Sequence, residues 1–139
     1  MKDKAFVKEV ADRFGCEERR AEILIFAVLQ ELRDRLTPTE AADAAAQLPT
    51  SLKMLWKSFD YPGRGVKRVN GYQFLEEVQR MVGLQDLRDA EAAVICVFRV
   101  LQEALSSPTG LEGEARHVFS QLPSDLKDLW LAAADEDLA

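Results

Sequence analysis

With 139 residues, the chain is long enough for one ordinary domain with its own core. Its 47% hydrophobic and 30% charged residues exclude an intrinsically disordered chain, and seven Gly with five Pro leave room for long helices. The net charge of −6 argues against general binding to nucleic acid or to an anionic membrane, since both repel an acidic surface.

The first predicted helix covers about residues 4–14, with Phe6, Val10 and Phe14 at helical spacing and Gly15 as its stop. The residues before Phe6 carry mixed charge, so no secretory signal is expected and the cytoplasm is the simplest address. A second, longer helix runs from about Glu17 to Leu36. Acidic residues crowd its start, and Arg33 and Arg35 complement the helix dipole at its end. It contains the longest apolar run, residues 23–29, far short of the about 20 residues a membrane span needs. Thr37-Pro38-Thr39-Glu40 reads as a capped start of an Ala-rich third helix reaching about Gln47. Pro49 ends it, and a fourth helix carries Leu52, Leu55, Trp56 and Phe59. Residues 60–70, with Pro62-Gly63 and Gly65, form a loop.

The second half follows the same order. Asn70-Gly71-Tyr72-Gln73 caps a helix over 74–82, Gly83 stops it, and Asp86 caps a long helix ending near Leu105. Residues 106–110 make the next turn, a third helix follows, and the fourth begins after Pro123. The acidic tail from Ala132 is expected to fray.

Three collinear matches relate the halves. The segments 47–56 and 121–130 share seven of ten residues at an offset of 74, both beginning Gln-Leu-Pro and ending Leu-Trp. Phe6-Val7-Lys8-Glu9-Val10 matches Phe74-Leu75-Glu76-Glu77-Val78 at an offset of 68, and Leu29-Gln30-Glu31 matches Leu101-Gln102-Glu103 at 72. The expected fold is all-α: a tandem duplication of a four-helix unit forming one compact bundle, a single domain over 1–139. Its first repeat is 1–59, its loop 60–70 and its second repeat 71–139. Residues 23–29 and 92–98 are apolar nearly all round, which predicts the two long helices at the centre, packed on each other. Charge divides unevenly: residues 1–59 hold ten basic and ten acidic groups, and residues 71–139 hold five basic and thirteen acidic. The acidic half is either a partner-facing surface or simply a solvated one.

The Phe-x-x-x-Val opening, a Gly before a long apolar helix, and the Gln-Leu-Pro-x-x-Leu-x-x-Leu block resemble the bacterial domain-of-unknown-function family 2267. The residues concerned are Phe6, Val10, Gly15, Gln47, Leu48, Pro49, Leu52 and Leu55 in the first half. Their counterparts are Phe74, Val78, Gly83, Gln121, Leu122, Pro123, Leu126 and Leu129. The resemblance covers nearly the whole chain. It implies a small cytoplasmic all-α protein, loosely globin-like in helix arrangement, and brings no catalytic residues to carry over. A globin-like shape says nothing about haem.

No residue set stands out as chemistry. His117 is the only histidine, and without converging ligands it reads as ordinary surface rather than a metal or haem ligand, so no metal and no cofactor are expected. Two cysteines, Cys16 and Cys96, are too few for a disulfide framework and are expected as free thiols. Cys96 lies in an apolar run and is expected to be buried. Cys16 sits at a helix junction, where a helix N-terminus can activate a thiol; its counterpart Leu84 instead argues for a small apolar position. Gly63-Arg64-Gly65 is not a phosphate loop. Arg64, Lys67 and Arg68 are either nucleic-acid contacts or solvated loop charges. Trp56 and Trp130 either plug one core position twice or act as exposed anchors for a partner.

The leading expectation is therefore a non-enzymatic protein-interaction or scaffold module, binding another protein or itself, with Trp56, Trp130, Arg64, Lys67 and Arg68 as candidate contacts. The alternative is a small-molecule or stress-related binding protein with a pocket between the halves. A nucleic-acid accessory role ranks third and an enzyme last.

Overall fold

A computed structural model describes residues 3–37, 39, 41–42, 46, 53–54, 56, 71–105 and 124–135. Five α-helices are delimited among the described residues: α1 (Asp3–Phe14), α2 (Glu18–Asp34), α3 (Gly71–Val82), α4 (Leu87–Leu105) and α5 (Ser124–Asp135). There are no strands among the described residues. Most of the first half's expected third and fourth helices, the second half's third helix and the 60–70 loop lie outside them; residues 39, 41 and 42 of the first half's third helix and 53, 54 and 56 of its fourth are helical.

Two of these helices end as their sequences foretell. Gly15 and Gly83 follow α1 and α3 at φ of 82° and 79°, a left-handed conformation that costs glycine little. The chain then turns back through paired hydrogen bonds. The N–H groups of Gly15 and Cys16 both donate to Ala11 O, and those of Gly83 and Leu84 both donate to Gln79 O. Asp86 caps α4, its Oδ1 accepting the Asp89 N–H at 2.9 Å, as its position predicts. Glu17 occupies the same place before α2 without a side-chain cap bond. The expected fraying from Ala132 does not begin there: α5 continues to Asp135 with Ala133 fully buried, and residues 136–139 lie outside the described residues.

The core is one apolar cluster reaching from Phe6, Val10 and Ala11 of α1 to Leu126, Trp130 and Ala133 of α5. Each large side chain removed from water here contributes about 1.5–3 kcal/mol. Aromatic rings line its middle: Phe74 lies 6.3 Å from Phe98, and Phe98 lies 5.2 Å from Trp130, both pairs tilted.

The long helices touch, as expected, but they are not each other's main neighbours. Each short helix, α1 and α3, bridges both long ones, and α5 lies on α4. The apolar-all-round reading of residues 23–29 fails at Ile23, which is 45% exposed.

Burial recurs along the two long helices in one register. The buried residues of α2 are Ala21, Leu24, Ile25, Ala27, Val28, Leu29, Glu31, Leu32 and Arg33. Sixty-nine residues on from each stand Ala90, Ala93, Val94, Cys96, Val97, Phe98, Val100, Leu101 and Gln102, all buried. The Leu-Gln-Glu match at an offset of 72 is therefore three residues out of step with the packing. Three residues are close to one helical turn, so the same apolar stripe satisfies both alignments approximately.

An ion pair ties the first half to the second. Arg13 of α1 donates from Nη1 and Nη2 to the two carboxylate oxygens of Glu103 on α4, each at 2.7 Å, and from Nε to Glu9 at 2.9 Å. Arg99 adds a contact to Glu103 at 3.0 Å. Bonding to Arg13 outweighs partial burial and holds the Glu103 carboxyl below its usual range.

Candidate interaction groove

The two glycine turns meet at one end of the helices. Together they line an open groove of about 1070 Å³. Its apolar part comes from Phe14, Cys16, Val82 and Leu84, all partly buried, and from the exposed Ile23. Charge enters from Glu17, Arg19 and Arg20 on one side and Asp89 on the other. Arg20 spans the turns, its Nη2 donating to Gly83 O at 3.2 Å. A second hollow of about 580 Å³ adjoins through Gly83 and Leu84 and runs along the polar side of α3, past the Arg80–Glu77 ion pair.

This groove arises from local sequence. Each turn needs a glycine to reverse the chain, and each following residue, Cys16 or Leu84, folds back against the preceding helix. Both side chains are half-buried as a result. Burial pushes the Cys16 thiol above its ordinary range, with Arg20 opposing and Glu17 adding to the shift. That corrects the alternative in which the helix start activates this thiol: apolar contact outweighs the favourable charge. Cys96 is 7% exposed, its Sγ 3.9 Å from Val10 O, and neither cysteine is in a disulfide.

A second polar feature lies at the far end of α2. Glu31, Arg33 and Arg35 are each at most 4% exposed. Arg35 Nη1 donates to Glu31 O at 2.7 Å and Glu31 Oε1 at 3.1 Å, while its guanidinium carbon lies 4.8 Å from the Phe74 ring centroid. Arg33 pairs with Asp34. On α4, Gln102 is 7% exposed and its Nε2 donates to Trp130 O at 2.8 Å.

Sequence reading placed its candidate contacts elsewhere. Trp56 and Trp130 are 2% and 4% exposed, so both indoles sit in the core and neither projects as an anchor. Arg64, Lys67, Arg68 and His117 lie outside the described residues. The reading missed the groove, because the approach of two turns 68 residues apart is a tertiary fact. Arg33 does stand in the last turn of α2, as read, but the burial of both arginines and the Glu31–Arg35 pair went unread. The spacing of Glu31 and Arg35 by four was the available signal for their pairing.

Among the described residues, no three His, Cys, Asp or Glu side chains gather where they could hold a metal ion, and no helix is long and apolar enough to cross a membrane. No curated protein matches the chain. Residues 3–129 match the family described as "Uncharacterized conserved protein (DUF2267)", and the chain belongs to that family.

Proposed function

We propose that this protein is a non-enzymatic interaction module, a tandem duplication of one helical unit, that docks another chain at the groove between its glycine turns. The groove itself carries the reading: an exposed isoleucine beside partly buried apolar groups, bordered by charges of both signs. Such a surface offers apolar area to desolvate and rim charges to orient a partner. Small-molecule sites are more enclosed and mostly apolar, so the open, charge-lined shape favours a protein segment over a metabolite. Shared burial at an offset of 69 residues and the paired glycine turns support the duplication.

Ile23 is the residue to change. Ile23→Glu places a charge where the side chain already meets water, so folding should survive. Affinity capture with wild-type and variant protein, compared by quantitative mass spectrometry, should show a stoichiometric partner lost from the variant alone. Equal recovery of every partner by both would remove the groove from consideration.

A further inference from the structure

We propose that the groove docks a second copy of this chain in a two-fold dimer, the α2 side of each copy lying on the α4 side of the other. This rests on the reading of the groove as a docking surface and names its occupant.

The groove is alike in its floor. α1 packs on α4 as α3 packs on α2, so the two helix pairs exchange partners as a two-fold relation between them requires. Both turns supply equivalent positions: Phe14 and Val82, Gly15 and Gly83, and Cys16 and Leu84 all line it.

The rim is not alike. The register that carries the buried positions of α2 onto α4 also carries Arg20 onto Asp89 and Ile23 onto Ala92. Arg20 and Asp89 both border the groove and are opposite in sign. Ile23 and Ala92 are both exposed and differ in size. Glu17, Arg19 and Arg20 leave the α2 side with one net positive charge, while Asp89 beside the neutral Gln85 leaves the α4 side with one net negative charge. Among the described residues, no ion pair takes up Arg19, Arg20 or Asp89. Arg20 bonds a backbone carbonyl, Gly83 O, which leaves its charge unneutralised.

A face whose two sides are opposite is its own complement. Turning a second copy about an axis along the groove lays Asp89 of each copy against Arg20 of the other. The same turn lays Ile23 of each against Ala92 of the other, a large side chain over a small one. Pairing of this isologous kind is the commonest form of oligomer. Laying like sides together would instead set like charges facing, so the rim also fixes the orientation. A partner of different sequence would need no such opposition between equivalent positions. The chain's net charge of −6 does not forbid the dimer. Charges beyond about 8 Å are screened at physiological salt, and the positive and negative sides of the groove cancel locally.

The test is sedimentation equilibrium of the full chain from about 10 μM to about 1 mM. Wild type should pass from monomer to dimer across that range. Arg20→Glu and Asp89→Lys should each weaken the dimer about tenfold, because each sets like charges facing. An equimolar mixture of the two variants should recover the wild-type affinity, since each then meets its opposite. A wild type that stays monomeric at about 1 mM, a dimer that ignores both substitutions, or variants that mixing does not rescue would overturn the proposal. If a variant does not fold, the amide resonances of the ¹⁵N-labelled wild type on dilution decide. They should move within residues 15–23 and 83–92, and movement confined to other residues overturns the dimer. The two readings fail separately. A monomeric wild type whose Ile23→Glu variant loses a captured protein overturns self-docking and leaves the groove to a different chain. A monomeric wild type whose captured proteins all survive that substitution overturns both.

Discussion

Gly15 and Gly83 are the residues whose identity the backbone most directly demands. A Cβ at either would meet nothing within 4 Å, so space is not the obstacle. The left-handed backbone is, and it costs an L-residue about 1–2 kcal/mol. Gly15→Ala and Gly83→Ala should therefore destabilise by similar amounts in that range, read from urea unfolding midpoints. A loss at one site and none at the other would break the equivalence of the two turns. These glycines were legible in the sequence because the demand is local: an apolar helical stripe stops and a residue without a side chain follows. Trp56 and Trp130 were legible only as alternatives, because an indole suits a core and an interface equally. Burial decides between them, and burial depends on which elements arrive from elsewhere in the chain.

At the scale of elements, the contact of α1 with α4 combines apolar packing with the Arg13–Glu103 pair. Both side chains of that pair are partly exposed, at 37% and 30%, so solvent screening limits its worth to about 1 kcal/mol or less. The sign follows from Glu103, whose carboxyl is held below its usual range in the folded state. Such a group stabilises the fold above its unfolded pKa, and the contribution disappears as pH falls through the folded value. Glu103→Gln should thus be less stable than wild type near neutrality, with the gap closing in acid. Unfolding curves at both pH values check this, and an undiminished gap in acid would locate the effect in packing. Nothing in the sequence announced the pair, since its members are 90 residues apart. Helix boundaries, by contrast, followed closely from Gly stops and the Asp86 cap, because these are satisfied within a few residues of where they are written.

For the whole molecule, the arrangement is one in which the short helices bind the long ones together. Each of α1 and α3 contacts both α2 and α4, so no helix pair forms an independent core. α5 closes the other side of α4 with Leu126 and Trp130, at 1% and 4% exposure, the latter against Phe98. Leu126→Ala should cost about 2–5 kcal/mol, a loss readable from the thermal midpoint, because removing buried methyl groups leaves a cavity. A loss below about 0.5 kcal/mol, the level of a surface change, would mean that α5 is not part of the cooperative core.

The all-α class, the two glycine turns, the Asp86 cap and the burial of Cys96 follow from the sequence alone, through periodicity and backbone preference acting over a few residues. Tertiary structure alone decided that the two turns converge into a groove, that Ile23 reaches water, and that the charged end of α2 is buried. Those outcomes depend on which faces of distant helices meet. A helical stripe specifies that it must be covered, but not by what. The same ambiguity placed the Leu-Gln-Glu match three residues from the register in which α2 and α4 are buried. Neighbouring registers of an amphipathic helix look alike in sequence, and only the neighbours packed against it distinguish them.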